Sequence, residues 1–490
     1  MYLSDLLKYG EYESACSPAS VIFTEITSDT RKAADGCLFV ALPGRRHNAL
    51  SMLSASGIRP AAVILKENEA FPSALLGIPA FFVPSPHKTL AYLYSRFYGS
   101  PEKHLTVIGV TGTAGKSSTS EILYHILREN GIHTGLIGTV HCLADDVPCE
   151  DGDCLTMTTP EPASLYKMLA AMRDRGVTHV VMEVSSQALD QARTAPIHFA
   201  VAVFTNLSPE HLDYHGSMEN YFLAKARLFA VADTAVLNVD DPAGRRMALY
   251  ARGKVVRVGI LEKGDYNAVD LSFGRRADYT VLSSDMAFPV SVPLPGAFSV
   301  YNSLLAAVAA LMLDIPPAVI HKALSGMGMI RGRMETIDTD YGFSVMIDYA
   351  HTEEALRSLL RAARPLTEKR LILLFGCGGD RDRHKRAAMG HIAEKNADLT
   401  ILTADNSRSE NTETIIGEIL GGITDKSKTI AIPSRKDAIE YALSIAEKGD
   451  LVLLVGKGHE TYEITQDGIR DFDERNIVHD YFAHRNEEKT

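Results

Sequence analysis

Gly112 to Ser118 read GTAGKSS, and Gly-Lys-Ser in such a run has the chemistry of phosphate binding. Backbone N–H groups of a glycine-bearing turn and the positive end of a following helix both favour an anion. Lys116 is placed to reach the β- and γ-phosphates of a nucleoside triphosphate, and Ser117 to ligate Mg²⁺. The common phosphate-loop pattern wants a glycine five residues before Gly115; Val110 stands there, and the loop has Gly112 instead. The context fits all the same. The apolar stretch Leu105–Val110 precedes the loop, and Ile122, Leu123, Ile126 and Leu127 follow at helical spacing.

A magnesium site needs further hard ligands. Glu183, in MEVSSQALDQAR, and His211, in SPEHLDYHG, each lie just past an apolar strand-like run, as Lys116 does. A lone glutamate or histidine is ordinarily a solvated loop residue, and the shared placement singles these two out. Lys225, in YFLAKARLF, taken alone is a lysine snorkelling from a helix.

These groups need a scaffold. The chain has 490 residues, enough for several domains. Its 46% hydrophobic and 23% charged content is that of a globular enzyme, and a net charge of −11 argues against general nucleic-acid binding. Six cysteines without zinc spacing predict reduced thiols; Cys142, Cys149 and Cys154 match no zinc pattern. No apolar run is long enough for a membrane span and no signal peptide is legible, so a cytoplasmic chain is expected.

Strand-like runs alternate with helical stretches, which predicts an α/β chain with parallel sheets. Residues 1–101 hold Cys37–Leu42, Ala61–Leu65 and Ala80–Val83, and end at the turn signal Tyr98-Gly-Ser-Pro101. Residues 102–332 hold Thr106–Val110, Val177–Val184, Phe199–Phe204 and Thr234–Leu237, a P-loop-type ATPase pattern. Residues 333–490 hold Val345–Ile347, Arg370–Phe375, Leu399–Thr403, Thr429–Ile432 and Leu451–Val455. In this last block GCGGDRD, ADNSRSE and GKGHE each follow a strand directly, which predicts one shared pocket beyond the strand ends.

The order of TGTAGKSS, TTPEP, MEVSS, TNLSPEHLDYHG, AKARLF, NVDD, PGAFSVYN, GRME, DYAHT, GCGGDRD, DNSR and GKGHE resembles that of the Mur ligases, and ITSDTRKAADGCLFVALPG extends the likeness toward the start. The variant phosphate loop, with its glycine at 112, is the form of that family. The resemblance implies a uridine-nucleotide domain at 1–101, a central Mg-ATP domain at 102–332 and a Rossmann-like, amino-acid-binding domain at 333–490. It implies that Gly112, Thr113, Ala114, Gly115, Lys116, Ser117 and Ser118 cradle the triphosphate. Ser117, Glu183 and His211 would serve magnesium, with Lys225 carboxylated to N6-carboxylysine beside it. Asn302, Arg333 and Asp348 would contact the nucleotide. Thr158, Thr159, Ser185, Gln191 and Arg193 would contact the muramoyl-peptide, and Ser28, Thr30 and Arg45 its uridine end. Arg381, Asp405, Asn406, Ser407, Arg408, Gly456 and Glu460 would receive the amino acid.

The implied reaction is ATP-dependent joining of meso-diaminopimelate to UDP-N-acetylmuramoyl-L-alanyl-D-glutamate in peptidoglycan synthesis, by a monomer. The alternatives are an L-lysine-adding member, a folylpolyglutamate or cyanophycin synthetase type, and a non-catalytic homologue that binds the nucleotide sugar. The chain departs from the family pattern at Ala114, Gln187 and Ser407 and in the run RRHNA, which leaves room for a specialised paralogue. Arg408 favours diaminopimelate, because a planar guanidinium suits the second carboxylate that L-lysine lacks. If that guanidinium is buried and left unpaired, a preference of roughly 30-fold is expected.

Overall fold

The computed structural model describes residues 1–8, 10–43, 49–149 and 157–487. Its first sheet has strands Ile26–Thr27, Leu38–Val40, Ala62–Lys66 and Ala80–Val83 in that order, all parallel. Alternation along these strands feeds two cores. Leu38, Val40 and Ile64 join one cluster, while Phe39, Val63 and Leu65 join another. Side chains on a strand point alternately to its two faces, so an unbroken apolar run needs cover on both.

The largest sheet is mixed. From Tyr266–Phe273 the order runs through Lys254–Gly259, Ala232–Asn238, Phe199–Phe204, Thr106–Thr111 and His179–Glu183 to Thr134–Ile137, all parallel. Antiparallel strands extend both ends: Ala277–Leu282 and Ala287–Val292 on one, Cys142–Ala144 and Val147–Pro148 on the other. The sequence reading of a parallel sheet therefore holds for the middle and not for the edges. Ala287–Val292, for example, leaves alternate residues exposed and includes Pro289, which weakens its apolar signal.

The predicted helix after the phosphate loop spans Lys116–Glu129, with Ile122, Leu123, Ile126 and Leu127 all buried. It packs against Ala297–Leu311, whose alanines let two helix backbones approach closely. That second helix supplies Asn302 to the loop.

The third sheet runs Glu335–Asp338, Ser344–Asp348, Leu451–Val455, Leu371–Phe375, Leu399–Leu402, Thr429–Ala431. Only the first pairing is antiparallel. Leu371–Phe375 and Leu451–Val455 are buried at every position, as central strands covered on both faces must be. Cys142 is disulfide-bonded, while Cys16, Cys37 and Cys377 are free thiols, so the expectation of reduced thiols throughout is corrected at Cys142. Cys154 lies outside the described residues. No described helix is long and apolar enough to cross a membrane.

Candidate active site

Thr106–Thr111 is flanked by His179–Glu183 and Phe199–Phe204, and Val110 pairs with both Glu183 and Val203. Val110 is thus an ordinary strand residue, and the turn begins after it. Gly112 has φ +153°, and a Cβ there would stand 1.8 Å from Thr205 Oγ1. The glycine is required at 112 because the neighbouring strand end leaves no room for a side chain. Ala114 is held through its backbone: Asn206 Oδ1 accepts from its N–H at 3.0 Å, and Thr205 Oγ1 donates to its carbonyl at 2.6 Å. This explains why the residue type at 114 matters little locally. Thr113 Oγ1 lies 3.1 Å from the Tyr221 hydroxyl. Gly115 ends the loop, Ser118 is half-buried on the first helical turn, and Lys116 Nζ donates to Gly112 O at 3.0 Å and to Thr113 O at 2.8 Å.

The same register sets Glu183 beside the loop. Ser117 Oγ donates to Glu183 Oε2 at 3.1 Å and accepts from Arg333 Nη2 at 2.9 Å. Thr139 N donates to Glu183 Oε1 at 2.7 Å. Burial raises the Glu183 carboxyl above its ordinary range, and Lys116, Thr139, Arg333 and Ser117 oppose that rise. Lys225 is buried, donates to Gly112 O at 2.8 Å and stands 4.5 Å from the centre of the Tyr221 ring. Burial, reinforced by Lys116, pushes its amine well below the usual lysine range, against the pull of Glu210. Lys225 is therefore no snorkelling lysine. His211 has φ +55° and is partly exposed; burial lowers its pKa while Glu210 raises it.

A cavity of about 250 Å³ joins these groups. Lys116, His211, Lys225 and Tyr221 line it, together with Thr158, Thr159, Ser185, Gln187 and Arg193. Thr159 Oγ1 donates to Glu183 O at 2.9 Å and accepts from Ser185 N at 2.9 Å. Arg193 Nη1 donates to Thr159 O at 2.7 Å, and Gln191 Oε1 accepts from Arg193 Nη2 at 2.7 Å. Asn302 Oδ1 would lie 2.4 Å from a Cβ at Gly115, so it sits against the loop. Asp348 is half-buried and accepts from Met334 N and Ala350 N, both at 2.8 Å. Ser28 and Thr30 follow the strand Ile26–Thr27 on the first sheet and do not line this cavity. Arg45 lies outside the described residues.

The three turns of the third sheet meet as predicted. Gly379 N donates to Asn406 O at 2.9 Å, Arg408 Nη1 donates to Gly379 O at 2.9 Å, and Asn406 Nδ2 donates to Glu460 Oε2 at 2.8 Å. A Cβ at Gly379 would stand 1.9 Å from Ser407 O, so only glycine permits this approach. Gly456 N donates to Asp348 O at 3.0 Å, which ties this pocket to a candidate nucleotide residue. Arg381 is held below its ordinary pKa by burial and by neighbouring Arg408. Arg408 itself is only half-buried, in the left-handed region at φ +51°, and Nη1 also donates to Asn406 O at 3.2 Å. The expectation of a fully buried guanidinium is corrected, and the penalty for leaving it without a carboxylate falls accordingly.

Sequence reasoning missed several groups. Glu210 Oε1 lies 3.2 Å from His351 Nε2, joining SPEHLDYHG to DYAHT across 141 positions. Burial raises the Glu210 carboxyl, but His351, His211 and Lys116 together outweigh it and hold it below the usual range. Both residues stand inside motifs already quoted, beside the residues chosen from them. Arg386, fully buried, binds Glu410 at 2.9 Å and Glu418 at 2.6 Å and donates to Gly378 O. Nothing in its local sequence marks that role.

A phosphate-binding turn on a parallel sheet, a buried carboxylate and lysine beside it, and a cluster of polar, mixed-charge turns at the third sheet define a nucleotide-dependent enzyme that brings two further substrates together. Residues 110–310 match the family model described as Mur ligase middle domain, and residues 332–458 that described as Mur ligase, glutamate ligase domain. The chain is 39% identical over 488 residues, 99% of each chain, to UDP-N-acetylmuramoyl-L-alanyl-D-glutamate--2,6-diaminopimelate ligase of Caldanaerobacter subterraneus subsp. tengcongensis. It is 38% identical over 465 residues, 93% of each, to the ligase of the same name from Bacillus licheniformis. A solved structure of a ligase with that name superposes with TM-score 0.68 at 28% identity, covering 99% of both chains. The MurF ligase of Thermotoga maritima in complex with ADP shares the fold, with TM-score 0.61 at 19% identity over 95% of this chain and 98% of that one. This chain belongs to the Mur ligase family, whose members are ATP-dependent ligases.

Proposed function

We propose that the chain joins meso-diaminopimelate to UDP-N-acetylmuramoyl-L-alanyl-D-glutamate, with ATP converted to ADP and phosphate. The observation that supports it best is the position of Ser117, bonded to Glu183 on one side and to Arg333 on the other. A carboxylate repels an amine's lone pair and is a poor electrophile. Transfer of the γ-phosphoryl group to it gives an acyl phosphate; the amine then attacks, phosphate leaves and an amide forms. Lys116 and the loop amides stabilise the charge on the triphosphate as it shifts. Arg193 and the Thr158, Thr159 and Ser185 hydroxyls orient the acceptor carboxylate within the cavity. Residues 1–101, 102–332 and 333–490 act as the uridine-nucleotide, ATP and amino-acid domains, with Ser28, Thr30 and Arg45 toward the uridine end.

Among the described residues no cluster of three His, Cys, Asp or Glu side chains forms a metal cage. Mg²⁺ in a nucleotide site is held through one or two carboxylates and completes its shell from phosphate and water, so the Glu183 carboxylate, with Ser117 and His211, fits it. When bound, Mg²⁺ supplies Lewis-acid stabilisation of the transferring phosphoryl group. Lys225 fits carboxylation for a separate reason. Burial lowers the amine's pKa and so favours the neutral form, whose lone pair can attack CO₂; with loss of a proton it becomes a carbamate anion beside the cavity.

The test is mass analysis of the product when the acceptor is offered meso-diaminopimelate and L-lysine together with ATP. A diaminopimelate amide with ADP and phosphate is expected. AMP and pyrophosphate, or no product, would overturn the reading.

A further inference from the structure

Lys457 has no exposed side-chain surface, and a buried ammonium must be paired. Its Nζ donates to Asn406 Oδ1 at 3.1 Å and to Tyr462 O at 2.8 Å. It lies 3.9 Å from Asp405 Oδ1 and 3.7 Å from Glu460 Oε2, with the Phe472 ring 5.5 Å away. Asn406 Oδ1 accepts a second donor, Ile464 N, at 2.9 Å. An amide oxygen held by two donors fixes which end of the carboxamide points where. The Nδ2 end is thereby turned to Glu460, to which it donates at 2.8 Å.

The charges follow the same layout. Asp405 and Glu460 are two carboxylates, and Lys457 stands between them. Nearby Arg435 is fully buried and neutralised by Glu474 at 2.7 Å, with its other donors on Ala404 O and Val455 O. Asp405, Glu460 and Lys457 carry one formal net negative charge among them, and Arg408 stands beside Glu460.

We propose that Lys457 is a positioning residue of the amino-acid site: it orients the Asn406 carboxamide and sets a fixed positive charge between Asp405 and Glu460, so that the two carboxylates stand together toward one incoming ammonium. The inference rests on the amino-acid site proposed above. The groups facing Glu460 are Asp405, Lys457, Arg408, Tyr349 and Tyr462, besides the Asn406 amide. Burial and Asp405 raise the Glu460 carboxyl, while Lys457, Asn406 and Arg408 oppose them. Loss of Lys457 removes the first-named of these opposing groups and so raises the Glu460 carboxyl further.

The experiment measures KM for meso-diaminopimelate and for ATP from pH 6 to 9 in the full-length enzyme and in K457M, K457R and E460Q. In K457M the amino-acid KM is expected to rise at least about tenfold at pH 7, the effect of a shift of one pKa unit or more. It should fall back toward the unmutated value as pH rises across this range, and K457R should restore much of the loss. The ATP KM should stay within about twofold. An amino-acid KM in K457M that is unchanged, or raised equally at every pH, overturns the inference while E460Q still raises KM. If E460Q leaves the amino-acid KM unchanged, the underlying site reading fails. Should K457M not fold, N406D serves instead: it keeps the acceptor for Lys457 and Ile464 N and loses the donor to Glu460. A raised amino-acid KM in N406D supports the inference, and an unchanged one overturns it.

Discussion

Arg333 donates through Nη2 to Ser117 Oγ at 2.9 Å, although 216 positions separate the two in the chain. Its guanidinium also stacks 4.8 Å from the centre of the Tyr349 ring. The serine of the phosphate loop thus touches the start of the third sheet's segment. Arg333→Ala is expected to lower kcat/KM for ATP by about 10- to 100-fold, the range for losing a hydrogen bond from a charged donor. Steady-state kinetics with ATP varied checks this. A ratio within twofold of the unmutated enzyme would show that the contact is incidental.

Lys225 exchanges stability for function. A lysine whose folded pKa lies below its unfolded value binds fewer protons when folded. Its unfavourable contribution vanishes above the unfolded pKa, near 10.4, and grows as pH falls toward the depressed folded value. Lys225→Met should therefore raise stability at pH 7 by on the order of 1 kcal/mol, since a buried ionisable group whose charged form is disfavoured is exchanged for an apolar side chain of similar length. The same variant should lose most of its ligase activity. Denaturant melts and turnover assays on one preparation test both halves; wild-type turnover at limiting magnesium would remove the lysine from the chemistry.

His459 is pushed down to about 3 by burial, with Arg333, His141, Arg475 and Arg331 adding to the effect. Its folded pKa lies below the unfolded value near 6.5, so its contribution to stability is complete above that value. It is lost as pH falls from about 6.5 toward 3, at up to about 1.4 kcal/mol per pH unit. His459→Asn should flatten the acid side of the stability profile within that window. Urea melts at half-unit pH steps measure it, and superimposable profiles for the two proteins would refute the assignment.

Arg408 is expected to set the choice of amino acid. Because it is half-buried and already bonded to two backbone carbonyls, the preference for meso-diaminopimelate over L-lysine should be nearer tenfold than the 30-fold that full burial would give. Arg408→Ala should collapse it. Competition kinetics with both amino acids decide the matter, and equal kcat/KM in the unmutated enzyme would sink this role.

Much of the central site was legible along the chain because its signals are local. The phosphate loop needs Gly112, Gly115, Lys116 and Ser117 close together in the chain, and Glu183 and His211 betray themselves because one ends an apolar strand and the other follows one. The strands at the edges of the largest sheet were not legible. Their alternate residues face water, so Ala277–Leu282 and Ala287–Val292 lack the continuous apolar run of a central strand.

The sequence alone determined the α/β class, the phosphate-binding chemistry and the set of polar turns that follow the third sheet's strands, since each rests on residues within a few positions of one another. Tertiary structure decided which of these residues act on each other. Lys225 looked like a surface lysine until packing buried it over Tyr221 and against Gly112 O. Glu210 met His351, and Lys457 came to stand between Asp405 and Glu460, only through strand order and register. Burial and charge pairing depend on what the rest of the fold places within a few ångströms, and no local pattern encodes that.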